Sequence, residues 1–105
     1  MKAIILAAGF GTRLMPLTKN TPKPLLPLAN KLIIQHNIEW LRRNGITEIA
    51  INLHHLPEKI KEFLGNGSKF NVHITYSYEK DILGTAGGIK KLEHFAKSSS
   101  FLVKS

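Results

Sequence analysis

The chain has 105 residues, 43% hydrophobic and 21% charged, values that fit one small globular domain or part of a larger one. It has no cysteine, which excludes a disulfide framework and a thiolate metal site, and no apolar run approaches the ~20 residues a membrane-spanning helix needs. The formal net charge of +8 suits polyanions, acidic lipid or phosphorylated small molecules, but the lysines are scattered without a block of five and read mostly as solvated helix faces.

Residues 3–7 are continuously apolar with two isoleucines, the pattern of a strand buried on both faces of a parallel sheet. This run passes straight into Ala7-Ala8-Gly9, so it reads as a strand rather than a secretory leader, and a cytoplasmic location is expected. Residues 8–30 form a long loop punctuated by glycine and four prolines; it is not low-complexity, which favours function. A helix is expected over 31–44, with Ile34, Ile38 and Leu41 on one face and Gly45 as its stop. A strand follows over 46–53, then a short helix over 57–64 with Pro57 at its start and Gly65 and Gly67 beyond its end. A third strand spans 72–78. A helix over 85–97 carries Ile89, Leu92 and Phe95 on one face, and a fourth strand begins at 101–103.

This β-α-β-α-β-α-β order predicts an α/β fold: a Rossmann-like three-layer α/β/α arrangement with a mostly parallel sheet of about four strands and right-handed crossovers. Ligands of such sheets sit beyond the carboxyl ends of the strands. The unusual segments here follow strands one, two and three, so they are expected to converge at one edge.

The first segment reads Leu6-Ala7-Ala8-Gly9-Phe10-Gly11-Thr12-Arg13. Glycines at this spacing turn the backbone sharply and bring its N–H groups close to phosphate oxygen. Leu14 stands where a dinucleotide fingerprint has its third glycine, and no Gly-Lys-Ser/Thr triplet is present. Arg13 is the distinguishing residue, because guanidinium grips phosphate bidentately and keeps its charge when desolvated; the plainer alternative is a turn with a surface ion pair. Pro22-Lys23-Pro24 holds a lysine between two prolines, on a backbone expected to be stiff and extended, which pre-places a cation for phosphate. The alternative is a rigid exposed turn. After the third strand, Glu79 precedes Leu83-Gly84-Thr85-Ala86-Gly87-Gly88. Gly84 permits close approach to a base or ribose, Thr85 suits a helix cap, and Glu79 suits the N–H donors of guanine; tight helix packing would also explain the small residues. His54-His55 makes a poor chelating pair, since adjacent strand residues face opposite ways. No Ser-His-Asp set or paired catalytic carboxylates appear.

The run A-A-G-F-G-T-R-L-M-P-L-T-x-x-x-P-K-P-L-L-P resembles the signature of the sugar-1-phosphate nucleotidyltransferases, the nucleoside-diphosphate-sugar pyrophosphorylases. N-G-I-T-E-I-A-I-N-L-H-H-L at 44–56 and Y-S-Y-E-K-D-I-L-G-T-A-G-G-I at 76–89 extend the resemblance over essentially the whole chain. Within the family it is most similar to mannose- or heptose-1-phosphate guanylyltransferases and N-acetylmuramate-1-phosphate uridylyltransferases. The resemblance implies that Ala7, Ala8, Gly9, Gly11 and Thr12 line the nucleotide. It further implies that Arg13 and Lys23 serve catalysis at the phosphates and that Glu79, Gly84 and Thr85 lie against base and ribose. The implied partners are a nucleoside triphosphate and a sugar 1-phosphate, with Mg²⁺ as cofactor and neither nucleic acid nor membrane. GTP is favoured and UTP comes next.

Family members continue the fourth strand as F-L-V-x-N-G-D, whose aspartate holds Mg²⁺, whereas here the sequence reads Phe101-Leu102-Val103-Lys104-Ser105. Residues 1–105 are therefore expected to be the N-terminal nucleotide-binding part of the domain, weakly active or inactive alone, and self-associating or completed by another chain. A catalytically dead nucleotide-binding or scaffold subunit is the rival reading.

Overall fold

The computed structural model describes residues 2–7 and 19–78, and the backbone of 101–104. The expected helix over 85–97 lies outside the described residues. The elements in chain order are β1 (Lys2–Ala7), a 3-10 turn (Lys23–Leu25), β2 (Pro27–Leu28), β3 (Lys31–Leu32), α1 (Ile33–Arg43), β4 (Glu48–Leu53), α2 (Pro57–Leu64), a second 3-10 turn (Ser68–Phe70), β5 (His73–Tyr78) and β6 (Phe101–Lys104). β1, β4, β5 and β6 form one sheet in the order β5-β4-β1-β6, and every pairing in it is parallel. A parallel sheet clad by helices is the α/β fold the sequence led us to expect.

The alternation of the strands divides the buried residues between two faces. Ala3, Ile5 and Ala7 of β1 lie in register with Ile49, Ile51 and Leu53 of β4, and all six belong to the main core. Ile34, Ile38 and Leu41 of α1 and Ile60 and Leu64 of α2 join that core from the helical side. Each such fully buried aliphatic side chain contributes about 1.5–3 kcal/mol relative to exposure. The opposite face carries Ile4 and Ala50, both buried, with Leu6 packed against them. Central strands buried on both faces explain why 3–7 and 49–53 are nearly unbroken apolar runs.

Local chemistry sets the element ends. α1 stops in a double hydrogen bond: Gly45 N–H donates to Arg42 O and Ile46 N–H to Leu41 O, with Gly45 at φ 78. Glycine takes that left-handed position without a Cβ penalty, and buried Ile46 then seats the chain for β4. Arg42 and Arg43 in the last turn oppose the partial negative charge of the helix end. β4 therefore begins at Glu48, two residues later than the sequence pattern indicates. α1 likewise begins at Ile33 rather than at residue 31. Lys31 and Leu32 pair antiparallel with Leu28 and Pro27 in a small hairpin turned by Ala29 and Asn30, both at positive φ. Gln35 Oε1 then accepts the Leu32 N–H at 2.9 Å and caps the helix start.

Candidate nucleotide site at the carboxyl edge of the sheet

The parallel register aligns the strand ends that the sequence singles out. Ala7 pairs with Leu53, and Leu53 with Tyr78, so the last residues of β1, β4 and β5 form one row across the sheet. The chain runs from β1 outward through β4 to β5 and then places β6 on the other side of β1. The order thus reverses between β1 and β6, and the crevice at such a reversal, beyond the carboxyl ends, is where open α/β sheets take ligands. In the sequence, Ala8–Arg13 follow directly after the last residue of β1.

Ala7 is buried, with its N–H donating to Oδ1 of Asn52 at 2.6 Å. Asn52 is itself only 3% exposed, the buried polar side chain of the described core. Beyond β4, the His54 ring lies nearly parallel to that of Tyr78, 6.5 Å between centroids, and Tyr78 is among the exposed large hydrophobic residues. Leu56, which precedes α2, is in the left-handed region at φ 49, ψ 52. A branched residue held there is strained, and such strain concentrates at functional edges.

Lys23 stands exposed at the start of a 3-10 turn. Pro22 before it is extended, at φ −65 and ψ 148, and buried. The expected extended backbone therefore holds for Pro22 but not for Lys23. Leu25 N–H donates to Pro22 O and Leu26 N–H to Lys23 O, and these two bonds wind the segment into a turn. The turn loses nothing at Pro24, which has no N–H to donate. Lys59, near the start of α2, donates from Nζ to the carbonyl of Asn20 and so ties this loop to α2 across 39 positions of sequence.

Ala7 and Lys23 are the expected site residues that the structure describes. Ala8, Gly9, Gly11, Thr12, Arg13, Glu79, Gly84 and Thr85 lie outside the described residues. Asn52 and Lys59 are neighbours of the site that the sequence reading missed. Asn52 had a visible signal, a lone amide inside the apolar strand I-A-I-N-L.

Among the described residues no group of three or more His, Asp or Glu side chains could hold a metal ion. Glu48 lies at the amino end of β4, Glu39 is paired with Lys31 at 2.6 Å, and Glu58 is paired with Lys61. These residues do not fit a Mg²⁺ site at the carboxyl edge, and no chemical step is assigned through one.

Comparison with known proteins shows the family and the fold. The nucleotidyl transferase family profile matches residues 2–105. A UTP–glucose-1-phosphate uridylyltransferase of Synechocystis is 42% identical over 104 residues, covering 90% of this chain and 27% of that protein. A mannose-1-phosphate guanyltransferase of Neurospora crassa is 47% identical over 94 residues, covering 89% of this chain and 26% of its own length. Among solved structures, a protein described as a glucose-1-phosphate thymidylyltransferase from Bacillus anthracis superposes with a TM-score of 0.93 at 36% identity, covering 98% of this chain and 42% of that one. The chain spans about a quarter of the length of the curated relatives it matches. With the family signature starting at the carboxyl end of β1 and the profile matched from Lys2 onward, the chain belongs to the nucleotidyl transferase family.

Proposed function

We propose that this chain is the nucleotide-binding part of an enzyme that transfers a nucleotidyl group from a nucleoside triphosphate to a sugar 1-phosphate. The observation that carries the reading is the aligned row of Ala7, Leu53 and Tyr78 beside the β1/β6 reversal, with the glycine–arginine signature next in sequence after Ala7. In this reading a phosphate oxygen of the sugar 1-phosphate attacks the α-phosphorus. The bond from that phosphorus to the β-phosphate oxygen breaks, and pyrophosphate leaves with the electron pair. Such a reaction asks for positioning and charge stabilisation rather than a covalent role from the protein. Ala7, Ala8, Gly9, Gly11 and Thr12 line the nucleotide, Arg13 neutralises the departing pyrophosphate and Lys23 holds a phosphate near the reacting centre. Glu79, Gly84 and Thr85 lie against base and ribose. Mg²⁺ is the cofactor of the whole enzyme.

GTP is the favoured donor and UTP the next. The guanyl- and uridylyltransferase relatives support both, and a carboxylate at Glu79 suits the paired N–H donors of guanine better than the single donor of uracil. Calorimetric titration with GTP, UTP, dTTP, ATP and CTP tests this, with GTP expected to bind tightest. Arg13→Ala is expected to weaken triphosphate binding about 10- to 100-fold, the range for a lost charge-assisted hydrogen bond. Equal affinity before and after that substitution would remove Arg13 from the phosphate site.

A further inference from the structure

We propose that Asn52 is a positioning residue for the nucleotide site: by accepting the Ala7 N–H, it fixes where the chain leaves β1 and thereby aims the glycine–arginine segment. This inference rests on the nucleotide reading above.

Three observations meet at this one amide. The first is its cost. Asn52 is 3% exposed in a strand where Ala50, Ile51 and Leu53 are fully buried. Asparagine is disfavoured in strands, and burying an amide is unfavourable unless it is hydrogen-bonded. A leucine of similar size would fill that place but leave the buried Ala7 N–H without this acceptor, so the amide is explained by its bond to Ala7 and not by packing.

The second is its target. Asn52 is the register partner of Leu6, yet its Oδ1 reaches past that position to the N–H of Ala7 at 2.6 Å. Ala7 is the last residue of β1, and Ala8-Gly9-Phe10-Gly11-Thr12-Arg13 follows without a spacer. A bond at the final strand residue governs the direction in which the next residues leave.

The third is location. Leu6 and Asn52 lie one residue short of the Ala7–Leu53–Tyr78 row. The amide is therefore buried just beneath the proposed ligand rather than deep in the sheet. A triphosphate cradle depends on backbone donors and an arginine placed to within a fraction of an ångström, which a rigid second layer provides.

The test uses Asn52→Leu and Asn52→Ala in the full chain, with Ile49→Val as a control that weakens the helix-side core. Three quantities are measured: denaturant stability, amide hydrogen exchange at Ala7 and GTP affinity by calorimetry. Both Asn52 variants are expected to lose protection at the Ala7 amide and to bind GTP about 5- to 10-fold more weakly, the factor one hydrogen bond carries. Both should also lose stability, since each leaves the buried Ala7 N–H without this acceptor, and Asn52→Ala should lose more, because leucine refills the space. Ile49→Val should lose stability while keeping its affinity. A merely structural Asn52 would make affinity follow stability across all three variants, and that result overturns the proposal. So does a wild-type chain that binds GTP with an Asn52→Leu variant of equal affinity. If the wild-type chain binds no nucleoside triphosphate, the nucleotide reading falls and takes this inference with it, whereas a failure confined to the variants leaves that reading standing.

Discussion

Tyr76 shows how one side chain couples packing to pH. Its hydroxyl donates to Gly65 O at 2.6 Å, tying β5 to the end of α2, and Lys61 Nζ lies 5.9 Å from its ring centroid. Burial pushes the phenol from 10.0 up to about 12. A raised value in the folded state means that the contribution to stability is intact below the unfolded value near 10 and is lost as pH rises through about 12. Tyr76→Phe should cost about 1 kcal/mol near neutral pH through the lost hydrogen bond. It should also flatten the alkaline limb of the stability curve, and urea melts at pH 8, 10 and 11.5 would reveal both effects. An unchanged alkaline limb in the variant would show that another group titrates there. Such long-range partners are poorly legible in sequence. Ala7–Asn52 and Lys59–Asn20 join residues 45 and 39 positions apart, and no local pattern links them. The residue types were legible in another sense. Lys23 between prolines was picked out for its chemistry, while the turn that carries it depends on two i→i+3 bonds that the sequence did not announce.

At the scale of elements, glycine does two different jobs. Gly45 at φ 78 ends α1 where, among the described residues and apart from its own chain neighbours and helix backbone, no atom lies within 4 Å of where a Cβ would stand. Gly67 at φ 90 is a junction. Phe70 and Val72 both donate to its carbonyl, and a Cβ there would meet Val72 O at 2.7 Å and Ile74 Cγ1 at 2.8 Å. Gly45→Ala should therefore cost about 1 kcal/mol for the left-handed backbone alone. Gly67→Ala should cost roughly 2–4 kcal/mol, because the backbone term is joined by overpacking against β5. Chemical denaturation of the two variants separates the effects, and equal losses would mean that the close contacts at Gly67 relax freely. The same contrast explains what could be read in advance. α2 was legible over Pro57–Leu64 because proline fits the first turn and Gly65 follows the last apolar residue. The β2–β3 hairpin was not, since two-residue strands have no periodicity and Ala29-Asn30 lacks the glycine that marks such a turn. That hairpin takes Lys31 and Leu32, which is why α1 starts later than its apolar spacing alone suggests.

For the molecule as a whole, ligand binding and folding are linked quantities. The +8 charge gives a long-range attraction for any polyanion, so weak binding of a triphosphate alone would say little about the site. Specific binding has a different signature. A ligand bound only by the folded chain stabilises it by about 2.7 kcal/mol at 100 times its dissociation constant. For a domain of this size, that is a rise in Tm of about 10–20 °C. Lys23 is exposed, so Lys23→Ala should leave the ligand-free Tm nearly unchanged. If Lys23 holds a phosphate and its loss raises the dissociation constant about tenfold, the same GTP concentration gives only about 1.4 kcal/mol, and the rise in Tm is roughly halved. Lys69, close to the rings of Phe63 and Phe70 beside β5, provides the comparison. Lys69→Ala removes one positive charge, as Lys23→Ala does, but at a place remote from the carboxyl edge. A rise in Tm that shrinks equally in both variants would mean that net charge governs binding. A rise that shrinks in Lys23→Ala alone would assign the effect to the proline-flanked lysine.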